Sequence, residues 1–348
     1  MPDQLTAKEF LTLRETYPVI DVRSPAEFER GHIPGAISMP LFSNEERAEV
    51  GTTYTRISKE QAILKGLDFV GPKMSSMVKT AGSLSTKDRV LVYCWRGGMR
   101  SNSVAWLLNT AGIETSTLAG GYKSYRRFLR QKLSEPLNLI VLSGMTGSGK
   151  TDFLSRLSET GEQVIDLEGL ANHRGSAFGA IGQPPQPTTE AFENLLLGKI
   201  LQFDPQKRIW IEDESKSIGR VFVPDELYEQ MDRASSLVIE MSREMRAARL
   251  VEEYASFDKE QLCSSLAKIS KRMGGNNTKL AIESIQNNNF LGAAGICLEY
   301  YDKTYKFGLK KHNRRTVTTV RLTEEDPGIN TETILKAANK HFPEVMFS

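Results

Sequence analysis

The sequence predicts an α/β protein with two sheet-containing domains and a mainly helical C-terminal part. Three observations predict it. Pro18–Arg23 reads as a short buried strand that passes at Ser24-Pro25 into a helix, and Arg89–Tyr93 as another strand leading to the helix Ser101–Thr110. This strand–turn–helix alternation belongs to parallel sheets. After a break in the pattern around Gln131–Pro136, the apolar run Leu137–Ser143 opens a second alternation. From Ser242 onward helix signals dominate.

Taken in order, Ser24 serves as N-cap and Pro25 as the first helical residue of Ser24–Arg30. Gly31–Gly35 is a turn, Ala36–Met39 a short strand, and Ala111-Gly112 closes the helix Ser101–Thr110. Residues 41–85 are polar, rich in Gly, Ser and Thr, and longer than a compact α/β connection needs, so they are expected to be a functional insertion near the active face. In the second domain Val164–Asp166, Arg208–Ile211 and Leu237–Ile239 are strands. Beyond it, Ser242–Tyr254, Lys259–Met273 and Glu332–Lys340 are helices, and Val317–Leu322 is a late strand. The expected domains are 1–132, with the insertion at about 41–85; 137–241; and 242–348.

The chain has 348 residues, 39% hydrophobic and 25% charged, which is ordinary for a soluble protein with a real core. No basic segment followed by an apolar run opens the chain, and stretches such as Leu137–Leu142 are too short to span a bilayer. Cys94, Cys263 and Cys297 are widely spaced and form no CxxC pair, which speaks against a zinc site or a disulfide framework. A cytoplasmic location without membrane contact is the expectation.

Two short segments carry chemistry. In Tyr93–Ser101 a cysteine ends a strand just before a helix. Gly97 and Gly98 let backbone N–H groups turn inward, the helix adds its positive end, and Arg96 and Arg100 add full charges. Such surroundings favour the thiolate, making Cys94 the candidate nucleophile and Trp95, Arg96, Gly97, Gly98, Met99 and Arg100 the anion loop around it. The second segment, Gly144–Thr151, fits GxxxxGK[ST] directly after an apolar strand, the context that a P-loop NTPase-like α/β domain requires. Gly144, Gly147, Ser148, Gly149 and Lys150 would cradle a diphosphate, and Thr151 could ligate Mg²⁺. Glu212, Asp213 and Glu214 stand together at the end of a later strand; spacing does not choose among them as a second Mg²⁺ ligand, and Asp213 is taken as the candidate.

Asp21-Val-Arg23 with Glu27, Gly31–Ala36, the Cys94 loop and Leu118–Gly121 together resemble the rhodanese domain, whose loop cysteine carries sulfur or selenium. Asp21 and His32 read as structural within it. Arg100 stands six residues after Cys94 rather than the five frequent in sulfur-carrying rhodaneses, which implies a wider cradle suited to a group such as selenophosphate. With Val50–Tyr54, Gly120–Lys123, the P-loop, Asp166–Gly179, Glu212–Ser215 and Glu299–Asp302, the chain resembles the tRNA 2-selenouridine synthase family over essentially its whole length. Asp166–Gly179 is the most distinctive of these segments, and its His173 and Arg174 are candidate ligand contacts.

The resemblance implies that a wobble 2-thiouridine is S-geranylated by geranyl diphosphate and then converted to 2-selenouridine by selenophosphate, which a separate synthetase supplies. It implies a transferase acting on the anticodon region of tRNA, with no tightly bound cofactor. On the residues alone, the run Tyr300–Arg321 carries seven Lys or Arg against one acid. Lys303, Lys306, Lys310, Lys311, Arg314 and Arg315 are therefore the candidate tRNA contacts, with Tyr301, Tyr305 and Phe307 available for stacking. A second basic cluster runs from Lys123 to Lys132. Arg243, Arg246 and Arg249 recur at three-residue spacing, which leaves phosphate contact and solvation equally open. An ATP- or GTP-dependent kinase with a sulfur-relay domain, or a non-catalytic nucleotide-sensing module, would use the same two loops.

Overall fold

A computed structural model describes residues 2–85, 89–309, 314, 316–324 and 326–342. The chain divides into two compact units, Met1–Lys132 and Leu133–Ser348. Each is built on a five-stranded, all-parallel sheet with helices, so the α/β reading holds for both.

The N-terminal unit contains β1 (Asp3–Leu5), β2 (Val19–Asp21), β3 (Ile37–Ser38), β4 (Arg89–Tyr93) and β5 (Glu114–Leu118), in the sheet order β1-β5-β4-β2-β3. Val90, Leu91, Val92 and Tyr93 of β4 are all buried, as expected for a strand covered by helices on both faces. Helix Pro25–Arg30 starts where Ser24-Pro25 predicts, and the Glu27 carboxylate accepts a hydrogen bond from the Ser24 N–H at 3.1 Å. The stretch 41–85 forms three helices, Asn44–Arg56, Lys59–Val70 and Met74–Leu84. Leu41, Phe42, Met77 and Ala81 from this stretch pack into one core with Ile20, Val92 and Val104. Part of it therefore stabilises the unit by apolar burial.

The C-terminal unit contains β6 (Leu139–Gly144), β7 (Gln163–Ile165), β8 (Ile209–Glu212), β9 (Ser217–Ile218), β10 (Val221–Phe222), β11 (Ser235–Glu240) and β12 (Val317–Arg321). Its sheet runs β12-β11-β6-β8-β7, and β9 and β10 form a separate antiparallel hairpin. β6 is central and buried at all six positions. Late in the chain β12 pairs with β11, and helix Pro327–His341 lends Ile334 and Ala338 to the core around Leu142, Leu154 and Trp210. The expected helix Lys259–Met273 is two, Lys259–Lys268 and Ser270–Met273, because Ile269 leaves helical geometry. These two pack with helices Gly275–Gln286 and Phe290–Leu309 around a core of their own. Among the described residues no helix is long and apolar enough to cross a membrane.

Candidate functional site

In the N-terminal unit Cys94 follows β4, and helix Met99–Thr110 begins five residues later. Cys94 is 3% exposed, and its thiol lies 3.2 Å from the Ser101 hydroxyl. The loop interlocks with the turn 118–121. Gly97 has φ +63, and a Cβ there would lie 2.5 Å from the Leu118 carbonyl oxygen. Gly121 has φ +62, and a Cβ there would lie 2.3 Å from the Cys94 carbonyl oxygen. Both positions thus require glycine. The Tyr122 N–H donates to the Cys94 carbonyl at 2.8 Å, and the Lys123 N–H to that of Trp95 at 3.0 Å.

Beneath the loop Arg23 is buried. It pairs with Asp21 at 2.6 Å and stacks 3.9 Å from the centre of the Tyr122 ring. The sequence reading did not single out Arg23, although the segment Asp21-Val-Arg23 carries it. Asp21 and His32 take structural places, His32 stacked on Phe28 and bonded to its carbonyl. Arg96 is exposed, Met99 is more than half exposed, and Trp95 packs against Tyr122 at 5.7 Å. Arg100 is not the unopposed charge that its position predicts: it is ion-paired to Glu27 at 2.8 Å. Burial pushes the Glu27 carboxyl up, but the Arg100 pair, helped by the Ser24 N–H and Arg47, holds it below the usual range. One carboxylate therefore joins a helix start to the rim of the cysteine loop.

In the C-terminal unit the phosphate loop connects β6 to helix Lys150–Glu159, and Gly147 and Gly149 take φ of +79 and +76. The Lys150 ammonium donates to the Gly144 carbonyl of its own loop at 3.1 Å. Arg246 is buried, forms a bidentate pair with Asp302 at 2.7 and 2.8 Å, and donates to the Thr146 carbonyl at 3.1 Å. It braces the loop from outside. Arg249 is ion-paired to Asp152 and lies against the Cα of Gly149, beside the place a diphosphate would occupy. Spacing left these arginines undecided, and the fold gives them different tasks.

The acidic residues beside the loop have distinct partners. Asp213 is ion-paired to Arg314, with both side chains buried, and also accepts from the Ser143 hydroxyl at 2.7 Å. The Thr151 hydroxyl donates to Glu168 at 3.0 Å. Thr151 and Asp213, the residues expected near Mg²⁺, thus each hold a carboxylate or hydroxyl partner in the loop's surroundings. Glu168 and Glu214 converge instead: a Cβ on Gly175, whose φ is +62, would lie 2.7 Å from oxygens of both. Burial, reinforced by the Glu168 charge and opposed by Lys150, pushes the Glu214 carboxyl up to about 8.

A cavity of about 850 Å³ opens from the phosphate loop. Lys150, Thr151, Arg174, Glu214 and Arg249 line its polar end, and Leu250, Phe178, Leu262, Ile285 and Phe290 its apolar side. In the segment Asp166–Gly179, Asp166 caps the short helix Leu167–Ala171 and Asn172 turns the chain through φ +50. Arg174 then reaches the cavity wall, paired with Glu253 at 2.6 Å. His173 packs on Gly179, and burial lowers its basicity; it is not among the wall residues.

The basic run is only partly described. Lys303 is exposed and paired with Glu299 one helical turn back, at 3.0 Å. Lys306 occupies a position on helix Phe290–Leu309, while Lys310, Lys311 and Arg315 lie outside the described residues. Arg314, expected to face tRNA, points inward to Asp213 and the Met231 carbonyl. The sign of its charge was legible in the sequence; the direction in which it points was not.

Comparison with known proteins agrees in both units. The family described as the tRNA 2-selenouridine synthase AAA domain matches residues 137–326, and the rhodanese-like domain matches residues 6–128. A tRNA 2-selenouridine synthase of Shewanella halifaxensis is 35% identical over 337 residues, covering 86% of this chain and 91% of its own. One from Shewanella pealeana is 36% identical over 335 residues, covering 86% and 90%. The crystal structure of a rhodanese-related protein from Thermoplasma volcanium aligns with 36% of this chain and 92% of its own, at 18% identity and a TM-score of 0.22.

Proposed function

The chain belongs to the tRNA 2-selenouridine synthase family, and from that membership we propose that it converts 2-thiouridine in tRNA to 2-selenouridine through an S-geranylated intermediate. The observation that carries the reading is a cavity in which a phosphate loop adjoins an apolar wall. An allylic diphosphate needs both: fixed N–H groups and cations for the pyrophosphate, and a dry surface for the hydrocarbon.

In the first step the thiouridine sulfur bonds to C1 of geranyl diphosphate and the C1–oxygen bond breaks. Pyrophosphate leaves and the base gives up its N3 proton. Lys150, the loop N–H groups and Arg249 are suited to stabilising the charge that develops on the departing pyrophosphate. Alkylation makes C2 electrophilic and turns sulfur into a leaving group. In the second step selenium from selenophosphate bonds to C2, geranyl thiol departs, and the phosphoryl group passes to water. The Cys94 loop is the candidate site for that donor. Its fixed glycine turns, the positive end of helix Met99–Thr110 and the exposed Arg96 suit an anion, with Cys94 as carrier or positioner of selenium. In this reading a separate synthetase supplies selenophosphate, the tRNA anticodon region is the substrate, and the reaction takes place in the cytoplasm.

The test is nucleoside mass spectrometry on tRNA bearing 2-thiouridine, incubated with purified protein and both donors. Cys94→Ser should accumulate the S-geranyl nucleoside and make no selenouridine. Lys150→Ala should lower S-geranylation by about a hundredfold. A Lys150→Ala protein that geranylates normally and fails only at selenation would overturn the division of labour.

A further inference from the structure

One helix face follows the cavity along its length. Phe290, Ala293, Ala294, Cys297, Tyr301 and Tyr305 all line it, at positions i, i+3, i+4, i+7, i+11 and i+15 of helix Phe290–Leu309. That spacing is a single stripe. At 1.5 Å per residue, its fifteen steps extend about 22 Å, room for a diphosphate and an extended prenyl chain end to end.

The stripe has a polar and an apolar end. Asp302, on the same helix, holds Arg246, which reaches the Thr146 carbonyl in the phosphate loop. The Tyr305 end of the helix therefore adjoins the phosphates. Toward the helix start the lining is apolar, and Leu262 and Ile285, which also line the cavity, share one hydrophobic core with Phe290. Between the two ends, Ala293 and Ala294 contribute only methyl groups, so the space beside them is left to a ligand. Cys297 lies in this stretch, and burial pushes its thiol up to about 11.

We infer that helix Phe290–Leu309 is the gauge for the prenyl donor: the chain runs from the phosphate loop past Tyr301 and Cys297, Ala293 and Ala294 leave it room, and Phe290 with Leu262 and Ile285 stops its end. This rests on the reading of the site as one for an allylic diphosphate and adds to it the residues that select the chain. A bulky side chain at Ala294 fills the far half of the channel and favours a shorter donor. Removing the Phe290 ring deepens the channel and admits a longer one.

The experiment offers dimethylallyl, geranyl and farnesyl diphosphate in equal amounts to the full-length protein with 2-thiouridine tRNA. Mass spectrometry then measures the ratio of S-prenyl nucleosides. Ala294→Phe, and the milder Ala294→Leu, should lower the geranyl-to-dimethylallyl product ratio about tenfold or more, and Phe290→Ala should raise the farnesyl-to-geranyl ratio by a similar factor. Thermal melting identifies which variants are folded, and the milder or the cavity-enlarging variant decides the question if Ala294→Phe is not. Ratios unchanged in the folded variants would overturn the gauge while leaving the prenyl reading intact. No prenylated nucleoside from any donor with the unmodified protein would overturn the prenyl reading itself, and the gauge with it.

Discussion

Arg314 and Asp213, 101 positions apart in sequence, form a buried ion pair at the end of β8, and Arg314 donates in addition to the Met231 carbonyl. Asp213 also accepts from Ser143, in the strand that leads into the phosphate loop. One inward-turned arginine thus ties the segment before β12 to the strand end that carries the acidic residues.

Arg314→Ala leaves the Asp213 carboxylate buried without its cation. Unfolding should become easier by about 3–5 kcal/mol, the range for removing one partner of a buried pair. Arg314→Ala combined with Asp213→Asn should be more stable than the single arginine variant. Denaturant melts of the two proteins check this, and a double variant no more stable than the single one would mean that the pair carries no coupling.

Glu214 predicts a pH effect with a definite sign. Its carboxyl titrates at about 8 in the folded protein against an ordinary 4.5, chiefly through burial and then through the Glu168 charge. Between those values the folded state binds more protons than the unfolded chain, so this group's contribution to stability is complete below about 4.5 and is lost as pH rises toward 8. Melting temperature should therefore fall from about pH 5 to about pH 8 more steeply in the unmodified protein than in Glu214→Gln. Parallel profiles for the two proteins would remove Glu214 from the account.

For tRNA binding, Lys310 and Lys311 remain the candidates suggested by the basic run itself. Reversing both charges should weaken tRNA binding and reduce the slope of log affinity against log salt by roughly one to two, since each lost phosphate contact removes about 0.7–0.9. Binding measured across a salt series decides it. An unchanged slope would assign the tRNA surface elsewhere.

How much of this was legible depends on the distance over which each feature is encoded. The cysteine loop and the phosphate loop were readable because their chemistry lies in consecutive residues, where glycines, a nucleophile or lysine, and a following helix are adjacent by covalent necessity. β5 was not, because its buried core is Thr115-Ser116-Thr117, polar residues whose hydroxyls carry no hydrophobic signal even in a covered strand. The helices of 41–85 were hidden for a related reason: scattered polar residues obscure Met77 and Ala81, which reach the core only once the chain has turned.

The sequence by itself determined the α/β class, the two chemistry-bearing loops and the family to which they belong, since local spacing and composition specify these. The tertiary structure alone decided that Arg314 meets Asp213, that Glu168 and Glu214 converge over Gly175, and that one face of helix Phe290–Leu309 lines the cavity leading from Lys150. Each of those relationships joins segments far apart in the chain, and which side of a charged or amphipathic element turns inward is settled only when burial and electrostatic pairing are satisfied together.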